Sequence, residues 1–323
     1  MNEQLLDILR CPACRGEVRQ KDEAALLCHA CGRSFEVVHG IPDFRPDPPD
    51  RPRHGPFCLE VMRRWPDSSF QELWDFYHRD ASDAWRRFQM DHERRAPERG
   101  ERRWGEIERM AALAGRPIPG DGVAFDVGCG MGSALFALAP RFSLAVGLDI
   151  MLTDLLLAKK RFQEAGLENV AFVCGSALEL PFADGSFALM NATDVIEHMP
   201  DQRLFLDEAR RAFADGGLFF FNSPNRFSLF SREPHVGLWW VGWLPRRWQE
   251  PYVRWRTGKG YRGKRLLSIF ELRGLLRGAF GRHFAVRSFL PRTAVKRVLA
   301  RAIEAGAMAV LPQHNVLAWK PSR

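Results

Sequence analysis

The 323-residue sequence contains no apolar run that approaches the roughly eighteen residues needed to cross a membrane. It begins Met1, Asn2, Glu3, without the positive and then apolar segments of a secretion signal. We therefore expect a cytoplasmic protein. The seven cysteines are odd in number and cannot all pair. Four of them stand in two close pairs, which favours a metal site over a disulfide framework. The sequence also has no internal repeat.

The two close cysteine pairs have the spacing of a zinc ribbon. Two residues separate the members of each pair, and thirteen residues separate the pairs. Four thiolates form a closed tetrahedral shell that suits structural zinc, and such a shell replaces the core that a short module lacks. The predicted ligands are Cys11, Cys14, Cys28 and Cys31. Together with residues 35–44, this segment resembles small zinc-ribbon modules related to the tRNA-methyltransferase activator. We assign residues 1–44 to this ribbon.

The segment 123–132 predicts a buried strand, a tight turn and the start of a helix. Its apolar run ends at Asp126, and three alternating glycines follow at Gly128, Gly130 and Gly132. Residues without Cβ let the backbone approach a ligand closely. A second predicted strand ends at Asp149, an acid placed where dinucleotide folds bind ribose hydroxyls.

The pattern continues as alternating strands and helices, which predicts an α/β class with a Rossmann-like, seven-stranded, doubly wound sheet. The last two strands are expected as an antiparallel pair. Further strands are predicted at 171–177, 187–194, 217–221, 284–290 and 314–320, and helices at 195–200 and 266–280.

Residues from about 120 to 225 resemble class I S-adenosylmethionine-dependent methyltransferases, in the small-molecule branch that includes ubiquinone-type O-methyltransferases. Four motifs carry the resemblance in order: 126–132, 147–149, 175–182 and 194–199. At Ser176 and at Ala188 the family usually has Asp. The first departure weakens the contact with adenine, and the second affects only the start of a strand.

The resemblance implies S-adenosyl-L-methionine as cofactor. It places Asp126 and the three glycines beside the methionine part and Asp149 on the ribose. It places Ser176 and Ala177 beside the adenine. Two further residues are implied to contact the cofactor, Ile150 and Thr193.

Asp194, Glu197 and His198 are our candidate catalytic residues. The fourth methyltransferase strand ends near Asp194, at the edge where open α/β sheets bind ligands. In a helix, Glu197 and His198 would share a face with Asp194. His198 is the candidate base because imidazole titrates near neutral pH. Alternatively the three side chains hold a divalent ion, or Glu197 caps the helix and His198 only packs on the cofactor.

Three further segments complete the predicted organisation. Residues 45–56 carry five prolines and predict a stiff linker. Residues 57–115 intersperse aromatic rings with charges, which predicts two or three helices leading into the sheet. The resemblance implies a substrate lid at this place; the alternative, favoured for most of these rings, is that they only pack against the sheet. Residues 116–323 form the predicted methyltransferase domain, interrupted by a basic, tryptophan-rich insert at about 226–265.

Charge is strongly polarised after the fifth methyltransferase strand. Residues 226–301 hold eighteen Lys and Arg but only three acids, whereas the whole chain has a net charge of +8. Five Trp and two Tyr lie within the insert, and the predicted helix 293–311 is apolar with basic residues close together. Arg with Trp suits an anionic membrane surface, RNA, or a pocket for an anionic substrate. The alternative is a solvated basic face over core tryptophans.

These observations favour methylation of the oxygen or nitrogen of a small-molecule acceptor, bulky and amphipathic or anionic, by a protein that is cytoplasmic or peripheral to the membrane. Two alternatives remain. One is a zinc-ribbon methyltransferase of rRNA or tRNA, although no RNA-recognition or helix-turn-helix pattern is present. The other is a non-catalytic subunit that binds RNA or another enzyme and keeps a vestigial cofactor site.

Overall fold

The structure, a computed structural model, describes residues 1–46, 52–288 and 308–321. The first 44 residues form one short helix and four strands. Helix α1 (Glu3–Ile8) precedes an antiparallel meander of short strands whose neighbours pair in sequence order. The strands are β1 (Val18–Asp22), β2 (Ala25–Cys28), β3 (Ser34–Val38) and β4 (Ile41–Asp43).

A second group of strands forms the predicted α/β sheet, and its order is β7-β6-β5-β8-β9-β11-β10. The first five of these are parallel, and β11 and β10 are antiparallel additions at one edge, as the sequence predicts. The strands are β5 (Val123–Val127), β6 (Leu144–Asp149), β7 (Val170–Cys174), β8 (Phe187–Thr193), β9 (Phe213–Pro224), β10 (Phe284–Arg287) and β11 (Gln313–Trp319). The sheet with its flanking helices confirms the Rossmann-like fold class.

The two groups of strands are one sheet, which the prediction of a separate ribbon did not include. Strand β4 pairs in parallel with β7 through Asp43 and Cys174, so that eleven strands are continuous in the described residues. The Phe44 N–H donates to the Cys174 carbonyl at 2.8 Å, and the Arg10 N–H donates to the Pro181 carbonyl at 2.8 Å. An edge strand presents unpaired backbone groups, and the ribbon satisfies those of β7.

A buried ion cluster reinforces this junction. The Asp43 carboxylate has no exposed surface and lies 2.7 Å from an Arg45 guanidinium nitrogen and 3.4 Å from one of Arg53. The Glu36 carboxylate of β3 accepts a hydrogen bond from Nε2–H of His54 at 2.8 Å. Both ends of the predicted proline-rich linker are therefore anchored to the ribbon, while residues 47–51 lie outside the described part.

Four α-helices occupy residues 56–114, rather than the two or three predicted. They are α2 (Pro56–Arg64), α3 (Phe70–Tyr77), α4 (Asp83–Arg94) and α5 (Ala96–Ala114), and a 3₁₀ turn follows α2. Pro97 stands in the first turn of α5, where its missing N–H has no partner to lose. Trp74 is buried, whereas Phe88 is 62% exposed, so the aromatic residues of these helices serve both core and surface.

The remaining helices flank the sheet or lie in the insert. They are α6 (Leu135–Leu138), α7 (Leu152–Glu164), α8 (Gln202–Ala212), α9 (Arg246–Thr257) and α10 (Ile269–Phe280). Helix α10 begins three residues later than predicted because Ser268 and Glu271 form a capping box at its start. Among the described helices none is both long and apolar enough to cross a bilayer. Most of the predicted helix 293–311 lies outside the described residues.

Asp43→Asn is expected to lower the free energy of unfolding by about 3 kcal/mol, since it leaves two arginines without their buried partner. Burial acts to raise the pKa of Asp43, but the hydrogen bonds and charge of Arg45 overcome it, so the pKa lies below its ordinary value. The folded state therefore gains stability from this carboxylate above pH 4, and loses it as the pH falls through the depressed pKa.

Urea unfolding at pH 7 and pH 3 measures this contribution, with Asp80→Asn as the matched control. The Asp80 side chain is 87% exposed. The difference between the two variants should be large at pH 7 and shrink at pH 3. Equal stabilities at pH 7 would show that the junction does not depend on Asp43.

Candidate functional site

The candidate cofactor residues lie at the carboxyl edge of the parallel strands. Asp126 lies in β5, one residue before its end, Asp149 ends β6, and Thr193 ends β8. Ser176 follows β7 by two residues. Because neighbouring parallel strands end at the same edge, residues far apart in sequence meet here.

The glycine turn needs backbone conformations that other residues rarely adopt. Gly128, Gly130 and Gly132 all have positive φ, at 65°, 50° and 82°. A Cβ on Gly128 would come within 2.6 Å of Val195, and one on Gly132 within 2.7 Å of Phe162. A Cβ on Gly130 would have no atom within 4 Å, so this side of the turn faces open space. The outer glycines are therefore required for packing, and the middle one exposes its backbone to a ligand.

Asp149 connects the second strand to this turn. One carboxylate oxygen accepts from the Gly130 N–H and the other from the Met151 N–H, both at 2.9 Å. The next side chain, Ile150, is 56% exposed although it is apolar. A hydrogen-bond acceptor such as this carboxylate, next to an exposed apolar side chain, suits a ligand that carries both hydroxyls and an aromatic base.

Asp126 is nearly inaccessible and is held by the neighbouring strand. Its carboxylate accepts from the Asn191 side-chain amide at 2.6 Å, and the same amide lies 3.3 Å from the Thr193 hydroxyl. Burial raises the pKa of Asp126 to about 7, although the Asn191 hydrogen bond acts to lower it. Asp126 therefore orders the end of β5 and β8 beneath the glycine turn.

The residues predicted beside adenine form the turn after β7. Ser176 accepts from the Leu178 N–H at 3.1 Å, and Ala177 is buried. Ser176 thus uses its hydroxyl to hold the turn. On the other side of this edge, Arg45 donates to the Ile150 carbonyl at 3.2 Å, which brings the ribbon junction beside the candidate site.

The segment after β8 forms a 3₁₀ turn at Ile196–His198 instead of the predicted helix. Asp194 takes a left-handed conformation with φ of 52°, and its N–H donates to the Asn222 side chain. Its carboxylate accepts from Gln313 at 3.3 Å. The predicted helix face shared by Asp194, Glu197 and His198 therefore does not form, because Asp194 lacks a helical conformation and only a 3₁₀ turn follows it.

Glu197 and His198 meet a residue from the insert. The His198 Nε2 lies 3.1 Å from Nε2 of His235, and a carboxylate oxygen of Glu197 lies within 4.8 Å of both rings. We call Glu197, His198 and His235 the donor cluster. Burial, then the charges of Asp194 and Glu233, raises the pKa of Glu197 to about 8. Burial and the positive charges of His235 and Lys264 lower the pKa of His198.

The four predicted ligand cysteines come together in the ribbon. All four sulfur atoms lie within 4.8 Å of one another. The Cys11 and Cys31 sulfurs are 3.7 Å apart, and those of Cys14 and Cys28 are 3.5 Å apart. Sulfurs on a tetrahedral zinc ion, with bonds of about 2.3 Å, are about 3.8 Å apart. The residues present therefore fit a four-thiolate zinc site.

Two protein families match the sequence. Residues 125–221 match the family described as methyltransferase domain, and residues 2–40 match Trm112p-like protein. The chain carries a methyltransferase domain behind a Trm112p-like domain.

Curated relatives share part of this methyltransferase domain. The ubiquinone biosynthesis O-methyltransferase of Paracidovorax citrulli is 31% identical over 149 residues, which are 45% of this chain and 59% of that protein. Ajmaline N-methyltransferase of Rauvolfia serpentina is 34% identical over 120 residues, 34% of this chain and 41% of that one. The methyltransferase GfsG of Streptomyces halstedii is 34% identical over 123 residues, 37% of this chain and 42% of that one. The chain thus spans about two to three fifths of these relatives.

The solved structures that align with this chain are distant in sequence. A complex between the Haloferax volcanii Trm112 methyltransferase activator and a methyltransferase aligns with a TM-score of 0.46 at 19% identity, over 70% of this chain and 94% of that one. A phosphoethanolamine N-methyltransferase of Haemonchus contortus aligns with a TM-score of 0.47 at 18% identity, over 68% of this chain and 53% of that one. The family assignment rests on the sequence matches.

Beside the glycine turn of the methyltransferase domain, the lid helices enclose a cavity of about 320 Å³. Tyr77 of α3 and Asp154 of α7 lie in its wall, with Met131 of the turn. Arg99 of α5 donates to the Ser133 hydroxyl at 2.6 Å, which attaches the lid to the turn. The helices of the predicted lid therefore lie beside the glycine turn, and their role as a substrate lid stays a prediction.

Sequence analysis missed the insert residues Glu233, His235 and Tyr261. The His235 Nδ1 lies 2.5 Å from the Glu233 carboxylate, which also accepts from the Tyr261 hydroxyl at 3.2 Å. No spacing rule connects residues 198 and 235. The only available signal was a Glu-Pro-His sequence with an acid in an otherwise basic insert.

Proposed function

We propose that the chain is an S-adenosyl-L-methionine-dependent methyltransferase that acts on a small-molecule acceptor. The observation that carries this proposal is the open backbone of Gly130 beside the Asp149 carboxylate and the exposed Ile150, within residues that match a methyltransferase domain. When bound, the cofactor supplies an electrophilic methyl group on a sulfonium ion.

Different residues would contact different parts of the cofactor. Asp149 would accept hydrogen bonds from the ribose hydroxyls, and the Gly130 backbone would lie against the methionine part. Ile150, Ser176 and Ala177 would lie beside the adenine. Thr193 and Asp126 would form the floor of the site. Because the reaction is a direct displacement, the main task of the protein is to align the acceptor and exclude water.

Asp149→Ala is expected to weaken S-adenosylhomocysteine binding at least tenfold, since hydrogen bonds to a charged group contribute about 1.5–3 kcal/mol. Isothermal titration calorimetry measures the affinity. Asp184→Ala is the matched control, because that carboxylate precedes β8 at the opposite edge of the sheet and is 81% exposed. Absence of binding by the wild-type protein, or equal affinities for both variants, would contradict the proposal.

A turnover assay with methyl-labelled cofactor then separates three functions. Label in small molecules of a cell extract supports the proposal, whereas label in total rRNA or tRNA selects the zinc-ribbon RNA methyltransferase. Cofactor binding without transfer to either pool, together with a gel shift of RNA, selects the non-catalytic subunit. The basic insert is the observation that keeps the RNA alternatives open.

The ribbon is proposed to hold one structural zinc ion at Cys11, Cys14, Cys28 and Cys31. The Cys11→Ser/Cys28→Ser double variant should lose about one equivalent of zinc by elemental analysis, because a closed site needs all four thiolates. Cys58→Ser is the control, as Cys58 lies outside the ribbon. Unchanged zinc content in the double variant would contradict the assignment.

The insert is proposed to dock the protein on an anionic membrane surface. Seven large apolar side chains between residues 229 and 255 are more than two fifths exposed, five of them tryptophans. The insert carries ten Lys and Arg, while its two glutamates are engaged internally by His235 and by Arg254. Exposed Trp with Arg is the composition that enters a lipid interface. A bulky amphipathic acceptor would then be supplied from the membrane.

Sedimentation with phosphatidylglycerol vesicles tests this docking. Wild-type protein should bind, and the Trp240→Ala/Trp255→Ala variant should bind at least several-fold less, since about 1–3 kcal/mol is lost per buried apolar side chain. Phe88→Ala is the matched control, because Phe88 is equally exposed but lies on the lid helix α4. Binding that is equal for neutral vesicles, or insensitive to the tryptophans, would refute the membrane proposal.

A further inference from the structure

The donor cluster presents three metal-ligating atoms to one point. A carboxylate oxygen of Glu197 and one ring nitrogen from each of His198 and His235 all lie within 4.8 Å of one another. The two histidine Nε2 atoms are 3.1 Å apart. Two imidazole nitrogens on one ion, each at about 2.0–2.1 Å, are about 3.0–3.4 Å apart. The separation therefore matches two ligands of a shared ion.

Glu197 supplies the second observation. The residue is 1% exposed, and neither of its carboxylate oxygens has a hydrogen-bond partner. An unpartnered buried carboxylate is costly, and buried acids are normally paired, hydrogen-bonded or bound to a metal. A cation between Glu197 and the two imidazoles satisfies both oxygens.

The surroundings of His235 are those of a metal ligand. The Glu233 carboxylate is buried and accepts from Nδ1–H of His235 at 2.5 Å, and the Tyr261 hydroxyl donates to the same carboxylate at 3.2 Å. This arrangement fixes the tautomer, so that Nε2 of His235 keeps its lone pair toward His198. A carboxylate behind a ligating histidine orients the ring and increases its basicity.

We propose that Glu197, His198 and His235 bind a divalent transition-metal ion, with His235 contributed by the insert. Two imidazoles and one carboxylate favour zinc or a similar borderline ion over magnesium, which prefers oxygen ligands. Three protein ligands leave coordination positions open. An acceptor hydroxyl bound there would have a lowered pKa, in keeping with methyl transfer to oxygen. Only this catalytic use rests on the proposed function; metal binding stands apart from it.

In this metal site, two of the three predicted catalytic residues have different roles. His198 becomes a ligand rather than a free base, and Asp194 is replaced by His235 as the third ligand. The Asp194 carboxylate is already engaged by the Gln313 side chain.

Titration of metal-depleted, full-length protein with Co(II) tests the site. The wild type should bind two equivalents, one with intense thiolate bands from the ribbon and one with weak visible bands from nitrogen and oxygen ligands. His235→Ala and Glu197→Gln should each lose the second species, with at least about tenfold weaker binding, and keep the first. The Cys11→Ser/Cys28→Ser variant should show the reverse.

His283→Ala is the matched control, since this histidine lies edge-on against Trp319 and is not a member of the cluster, and the variant should bind two equivalents. A single equivalent in the wild type, or a second species unaffected by both His235→Ala and Glu197→Gln, would overturn the proposal. S-adenosylhomocysteine affinity is measured on the same samples. If a protein that lacks the second cobalt ion still binds S-adenosylhomocysteine, the metal site has failed while the proposed function stands.

Discussion

The pairing of β4 with β7 is the contact on which the arrangement of the whole chain depends. It joins a cysteine-rich module, which has little core of its own, to the edge of an α/β sheet. The Asp43–Arg45 ion pair lies directly at this junction, and Arg45 reaches the carbonyl of Ile150 next to Asp149. The ribbon is therefore part of the scaffold that positions the proposed cofactor edge.

The insert has the corresponding role on the opposite side of the site. Its small core of Val241, Val253 and Tyr261 holds Glu233 and His235 over the turn that carries Glu197 and His198. The same segment exposes its tryptophans and arginines to the exterior. One face of the insert thus carries His235 of the proposed metal site, and the other carries the tryptophans proposed to meet a membrane, which would couple acceptor supply to the proposed reaction.

Acidic groups dominate the interior of the site. Burial raises the pKa of Asp126, Asp154 and Glu197, so these carboxyl groups are held where a negative charge is costly without compensation. A sulfonium cofactor and a divalent ion are both cations, and each would relieve part of this cost. The insert, by contrast, carries ten Lys and Arg but only two glutamates.

By itself the sequence determined the order and most of the bounds of the methyltransferase strands, the glycine turn, the acids at the strand ends and the four cysteines of the ribbon. These features follow from local patterns: apolar runs bounded by glycine, and ligand spacings within about twenty residues. Tertiary structure alone decided that β4 continues the sheet, that four helices form the lid, and that His235 replaces Asp194 beside Glu197 and His198. These depend on which edge strand lacks a partner and on contacts between residues 37 positions apart in sequence, and no local periodicity encodes such contacts. Asp194, with a φ of 52°, precedes a 3₁₀ turn instead of the predicted helix, and His235 reaches this turn from a separate segment of the chain.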